Sequence, residues 1–259
     1  MGRKGEKNMK KVLKLMLALV MTCAIAGCSS SSKNDADVTI TIGTSPDYAP
    51  YESLNKKGEI VGFDVDMAKL FEGYLSDMEG KTYSLEFKQM DFDNIVTQIQ
   101  GDQIDLGISG FTYSEDRVVE WSDPYLGTQQ VAVVPNGSSI TSNDQLVGKK
   151  LAAQTGEQAA KEVENADVVS MKNVQDIFNG LSSNQYDAAI VDLGVAKQYV
   201  SSGNFTQLNG SLMDEKNYVI AKKGNTKMIK LMNKCIKKFV ASKDYDKLCK
   251  KYDLSPLEK

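Results

Sequence analysis

The chain is 259 residues long, 41 % hydrophobic and 25 % charged, with 31 Lys and Arg against 34 Asp and Glu and no histidine. That is the composition of a globular protein with room for two modest domains, neither disordered nor fibrous. The absence of His excludes a Ser-His-Asp triad, a Cys-His pair and every His-ligated zinc or haem site, and a net charge of −3 gives no general reason to bind nucleic acid.

The first fourteen residues are basic (Arg3, Lys4, Lys7, Lys10, Lys11, Lys14), and the apolar stretch from Leu15 to Ala26 follows. This order, ending in small residues, is that of a secretory signal peptide over residues 1–27, too short for a comfortable membrane span. Ile25-Ala26-Gly27-Cys28 resembles the lipobox of bacterial lipoproteins, which implies lipidation of Cys28 and a polar tether over 28–37. Removing residues 1–27, with six basic residues and one acidic, leaves 25 basic against 33 acidic, a net charge of −8. The expected mature protein is an acidic, extracytoplasmic body anchored to the cell membrane. Cys235 and Cys249 are then its other cysteines, on what read as consecutive C-terminal helices. In an exported protein they either pair or remain buried thiols, with pairing slightly favoured.

Val38 to Gly43 alternates and is β-branched, as a strand does, and Ile60 to Phe63 is long enough for a second, short one. From Asp64, Met67, Leu70, Phe71, Tyr74 and Leu75 share one helical face. Tyr83 to Phe87 alternates again. Asp91 precedes a helix with Phe92, Ile95, Val96 and Ile99 on its apolar face, stopped near Gly101, and Ile104 to Ser109 returns to strand. The succession predicts an α/β fold, an open sheet with helices on both faces. A weak internal repeat points to two similar halves. Phe92, Ile95, Val96 and Ile99 lead to a strand opened by Asp105. Val174, Ile177, Phe178 and Leu181 lead to one opened by Asp187, at the same thirteen-residue offset. Ligands of open α/β sheets sit at the carboxyl ends of strands, which marks Ser109-Gly110 and Asp192 as two rims of one cleft.

Five stretches carry a family resemblance: Gly62-Phe-Asp-Val-Asp-Met-Ala68, Gly43 to Glu52, Asp105 to Thr112 with Arg117, Trp121-Ser-Asp-Pro-Tyr125, and Tyr186 to Asp192. In order and spacing they resemble the family-3 bacterial solute-binding proteins, the polar amino-acid receptors of ABC importers, over essentially all of residues 38–255. The resemblance implies a two-lobed periplasmic-binding-protein type II fold with the ligand cleft between lobes. Lobe 1 would take residues 38–127 and 219–259, lobe 2 residues 132–214, and the hinge crossovers 128–131 and 214–218.

It also implies the site. Arg117 matches the carboxylate-binding Arg, a bidentate donor that is always charged. Asp192 matches the ammonium-binding Asp, although an Asp after a strand also reads as a helix cap. Tyr48 and Phe92 match positions that sandwich the ligand's aliphatic part. Ser109, Gly110 and Thr112 would add backbone and hydroxyl contacts, and Gly156, Glu157 and Gln158 match a carboxylate-capping turn at a helix start. Two departures stand out: the stretch from Arg117 to Trp121 is about two residues short, and Glu157 and Gln158 replace the usual Thr or Ser. Glu157 therefore reads either as a capping carboxylate or as a specificity group.

The expected ligand is a polar L-amino acid. Asp47, Glu52 and Glu157 offer acceptors for a cationic side chain, and the acidic mature body favours one slightly. Ser45 replaces the Asp of several basic-amino-acid receptors, so glutamine or another neutral amino acid stays open. Expected partners are that ligand and an ABC permease, with no cofactor or metal, no nucleic acid, and a monomeric state. The rival readings are a ligand-sensing module and a cyclohexadienyl-dehydratase-like enzyme.

Overall fold

The computed structural model describes residues 36–154 and 158–257. The signal peptide, Cys28 and most of the tether lie outside the described residues, as do Gly156 and Glu157.

The first half opens with β1 (Val38–Thr44), whose alternation buries Ile40 and Ile42 and whose last three residues are buried on both faces. After it come β2 (Asp47–Tyr48), β3 (Glu52–Leu54) and β4 (Ile60–Val61), which pair as a small antiparallel sheet. Helix α1 (Phe63–Glu79) follows, then β5 (Tyr83–Gln89), α2 (Phe92–Gln100) and β6 (Leu106–Gly107). The expected strand over Ile60–Phe63 ends at Val61. Gly62, at φ 146°, turns the chain so that Phe63 begins the helix. The expected strand over Ile104–Ser109 is likewise reduced to two residues. Ser45 donates its N–H to Ser109 Oγ at 3.0 Å, so a side-chain bond stands where a ladder bond would continue.

The second half holds β7 (Val119–Pro135), β8 (Lys150–Gln154), the short helix α3 (Ala159–Glu162), β9 (Asp167–Met171), α4 (Val174–Ser182), β10 (Ala188–Asp192), α5 (Leu193–Val200) and β11 (Phe205–Gln207). The chain returns through β12 (Met213–Lys222) and ends in α6 (Thr226–Val240) and α7 (Lys243–Tyr252). The main sheet runs β5-β1-β6-β12-β7-β10-β8-β9, with β11 beside β7. Each end is a parallel trio, and β7 and β12 join the trios as a long antiparallel pair. Gly127 to Gln130 of β7 face Lys216 to Met213 of β12, so the two expected crossovers lie side by side.

The halves share a local device. Asp105 accepts from the N–H of Thr41 on β1 and donates its own N–H to the Thr41 carbonyl. Asp187 does both with Lys150 on β8. Thus the acid that opens each inner strand ties it to its parallel neighbour, the structural content of the thirteen-residue repeat.

Phe63 packs against Tyr125, Phe239 and Tyr252, with ring centroids 6.1–6.3 Å apart, and so joins α6 and α7 to α1. Ala132, Val134, Leu151, Ala153 and Ile190 form a separate core around the second trio. Cys235 and Cys249 are both free and buried, which corrects the expected pairing. Cys249 faces the Tyr245 hydroxyl instead. Burial pushes the Cys235 thiol up to about 12 and the Cys249 thiol to about 11, so both are neutral.

Candidate functional site

The carboxyl ends of β1, β6, β8 and β10 deliver the chain segments of both rims, as the α/β rule requires. On the first rim, Tyr48 is buried and its ring stacks on Tyr51 with centroids 5.7 Å apart. Gly110, at φ 57°, lets that ring approach: a Cβ there would lie 3.3 Å from it. Ser109 Oγ donates to Glu52 at 2.8 Å. The N–H of Gly110 donates to Asp64, and its carbonyl accepts from Asn217 Nδ2 at 2.9 Å. Both backbone groups of Gly110 are thus engaged within the protein, and what it adds to the rim is room for Tyr48.

Arg117 lies in a turn between Ser114 and Val119, not on a helix. Its Nη1 donates to the Thr112 carbonyl at 2.7 Å. The guanidinium sits 5.4 Å from the ring centres of both Phe92 and Phe111, which stack on each other at 4.6 Å. Glu120, the next acid along the chain, is not its partner but pairs with Lys223 and accepts from the N–H of Gly224. With β7 beginning at Val119, two residues after Arg117, the guanidinium rests on the aromatic pair. Phe92, Phe111, Ser114, Arg117, Gln158 and Lys161 line a cleft of about 330 Å³.

On the second rim, Asp192 ends β10 and is buried. It occupies the N-cap position of α5 without making a side-chain cap bond. Its Oδ1 instead accepts from Thr128 Oγ1 at 2.8 Å, and Tyr51 Oη, 3.2 Å away, donates to Thr128 in turn. Three further contacts join the rims. The Asp192 N–H lies 3.4 Å from Tyr48 Oη, Asp47 Oδ2 accepts from the Val174 N–H at 2.9 Å, and Gln158 Nε2 donates to Ser114 Oγ at 3.1 Å.

Of the residues expected at the site, Phe92, Arg117 and Gln158 line the cleft. Thr112 holds Arg117, and Tyr48 meets Asp192, while Ser109 and Gly110 are bound to the acids beneath the first rim. Asp47, considered as an acceptor for a ligand side chain, is engaged by Ser45 Oγ and Val174, and burial raises its pKa. Thr128, Gln130 and Glu215 were not anticipated. Gln130 Oε1 accepts from the Ala159 N–H at 3.0 Å, and its Nε2 donates to Glu215, whose pKa burial raises. Glu215 also meets Thr112 and the charge of Arg117. The available signal was a run of three polar residues, Thr128 to Gln130, directly before the apolar run Val131 to Val134 of the same strand.

Among the described residues no helix is long and apolar enough to cross a membrane, and no cluster of acidic and sulfur side chains could hold a metal.

A two-lobed α/β body with such a cleft is the architecture of amino-acid-binding proteins. The chain belongs to the bacterial extracellular solute-binding proteins, family 3, whose sequence profile matches residues 40–255. It is 31 % identical to the arginine-binding extracellular protein ArtP of Bacillus subtilis, over 94 % of this chain and 98 % of that one. Among solved structures, the substrate-binding protein of an amino-acid ABC transporter is 34 % identical, with a TM-score of 0.74 over 83 % of this chain and 99 % of that one. An ancestral arginine-binding protein, 31 % identical over 83 % of this chain and 97 % of its own, has been solved with arginine (TM-score 0.74) and with glutamine (0.71).

Proposed function

We propose that the chain is a lipid-anchored extracytoplasmic receptor that closes on a polar L-amino acid, with a cationic one favoured, and delivers it to an ABC importer. The observation that carries this reading is Arg117, held on Phe92 and Phe111 at the wall of a 330 Å³ cleft. In this reading its guanidinium receives the ligand carboxylate, with Gly156 to Gln158 adding donors from the other rim. Asp192 receives the ammonium, and Tyr48 and Phe92 enclose the aliphatic part. Thr112 acts through its carbonyl, which holds Arg117 in place.

Residues 38–127 and 219–259 form lobe 1 in this reading, residues 132–214 form lobe 2, and 128–131 and 214–218 form the hinge. Ligand that bridges both rims shifts the open–closed equilibrium because it meets both only in the closed state. Arginine is favoured by ArtP and by the arginine-binding ancestor, while that ancestor's glutamine complex keeps the neutral ligand as the second reading. Binding, not catalysis, is supported by the relatives reported above, which are binding proteins by name.

The test is a melting experiment on protein beginning at Lys33, against the twenty amino acids and ornithine. A ligand at one hundred times its dissociation constant adds about 2.7 kcal/mol, a readily visible shift. Shifts with arginine, lysine or ornithine alone establish the cationic reading. A shift with glutamine alone establishes the neutral one, and no shift with any overturns both.

A further inference from the structure

Glu52 opens β3 and Asp64 stands in the first turn of α1, and both are fully buried. They are neighbours because the N–H groups of Phe63 and Asp64 donate to the carbonyls of Pro50 and Tyr51, at 3.0 and 3.1 Å. Gly62 permits that approach, since a Cβ there would lie 2.1 Å from the Tyr51 carbonyl oxygen. The two carboxyl groups consequently meet within hydrogen-bonding reach.

Their donors are unequal. Asp64 accepts from Tyr125 Oη, 2.9 and 3.0 Å from its two oxygens, and from the Gly110 N–H at 3.1 Å. Glu52 Oε1 accepts from Ser109 Oγ, but Oε2 is buried and has no donor. Two ionised carboxylates in contact away from water repel each other, and each loses its hydration. The other ionisable groups acting on them are Asp47, Tyr51 and Tyr125. A proton on Glu52 Oε2 removes one charge, gives that oxygen a partner, and gives Asp64 a third donor.

We propose that Glu52 and Asp64 are positioning residues that share one proton at neutral pH, Glu52 donating to Asp64, and that the pair fixes the Ser109–Gly110 rim of the cleft. The hydrogen bonds then run in one direction, from Ser45 N–H to Ser109 Oγ, to Glu52 and to Asp64, with Gly110 closing on Asp64. Loss of the proton sets two charges against each other. Because Ser109 is bonded to one acid and Gly110 to the other, their separation pulls the rim apart. Burial raises both groups, Glu52 well above the ordinary carboxylate range and Asp64 to about 6.

The sign follows. Between the unfolded pKa of Glu52 and its raised folded pKa, the folded protein holds the extra proton, so folding stability falls as pH rises. The statement about the proton stands by itself, whereas the statement about the rim rests on the amino-acid reading of the cleft.

The experiment compares the purified protein with Glu52→Gln, whose amide can donate to Asp64 without titrating. Three properties are read: the protonated-carboxyl C=O stretch in the infrared at pH 7, urea stability from pH 5 to 9, and L-arginine affinity over the same range. The parent should show a protonated carboxyl that Glu52→Gln lacks. Its folding constant should fall relative to the variant by up to about tenfold per pH unit, and its arginine affinity should decline over the same window as the variant's does not. No protonated carboxyl in the parent, or parallel stability profiles, overturns the shared proton. Parallel affinity profiles overturn the role at the rim. Should Glu52→Gln not fold, the parent's infrared band decides. Should arginine and the other amino acids not bind, the proposed function fails while the infrared and urea measurements still judge the proton.

Discussion

Replacing Arg117 by alanine removes two kinds of contact that can be measured apart. Within the protein it deletes the 2.7 Å bond to the Thr112 carbonyl and the guanidinium 5.4 Å from Phe92 and Phe111. A charged hydrogen bond and a partly exposed cation–π contact together contribute about 2–4 kcal/mol to folding. Toward the ligand, the variant removes the proposed carboxylate partner, a loss of about 1.5–3 kcal/mol, or roughly 10–150-fold in Kd. Urea unfolding without ligand reads the first loss, and calorimetric titration with L-arginine reads the second under conditions where the variant is fully folded. Arg117→Lys keeps the charge but not the planar fork, and should recover only part of the affinity. Full affinity in a folded Arg117→Ala protein refutes the carboxylate assignment, whatever happens to stability.

Asp47→Ala removes the acceptor of the Val174 N–H, a direct contact between the two rims. It should weaken binding by about 0.5–1.5 kcal/mol, a few-fold to tenfold, chiefly through faster release in stopped-flow dissociation. An unchanged off-rate would show that this contact does not support closure. For the cysteines, protein beginning at Lys33 should expose two thiols to Ellman's reagent in urea but react slowly when folded at pH 8, since burial keeps both protonated. No reactive thiol in urea under non-reducing conditions would mean that they had paired.

The regular elements could be read from the sequence because their burial follows simple periods. The alternation of β1 and the Ile95 and Ile99 face of α2 are the core contacts themselves. The same rules fail at Gly62 and Ser109, where the chain leaves the ladder for reasons not carried by periodicity. One is a backbone angle of φ 146° and the other a side-chain bond to a residue 64 positions away. Arg117, Phe92 and Asp192 could be proposed for the site from the motifs that carry the family resemblance. Their supports could not, because Thr128 reaches Asp192 from another strand and Gln130 reaches Glu215 across 85 residues. Glu52 was visible only as a possible ligand acceptor. Its burial against Asp64 depends on the fold of α1 against β3, which the sequence pattern does not specify.

The two rims are built alike but anchored differently, and the difference bears on how the cleft could work. Each inner strand is opened by an acid tied to its parallel neighbour, Asp105 to Thr41 and Asp187 to Lys150. At their far ends the symmetry stops. Ser109 and Gly110 are held by Glu52 and Asp64, from the small sheet and the helix beside it in the first half. Asp192 is held by Thr128, on β7. Two residues along the same strand, Gln130 meets the start of α3 and Glu215 on β12, and Glu215 in turn meets Thr112, the residue that holds Arg117. A change in the twist of the β7–β12 pair would therefore move the proposed ammonium acceptor directly, and would reach Arg117 through Glu215 and Thr112. The Ser109–Gly110 rim, bonded to its own acids, would stay where it is. Thr128→Val keeps the shape of the strand and removes the bond to Asp192. It should therefore weaken L-arginine binding in calorimetric titration, and an unchanged Kd would refute the role of Thr128 in holding Asp192 for the ligand.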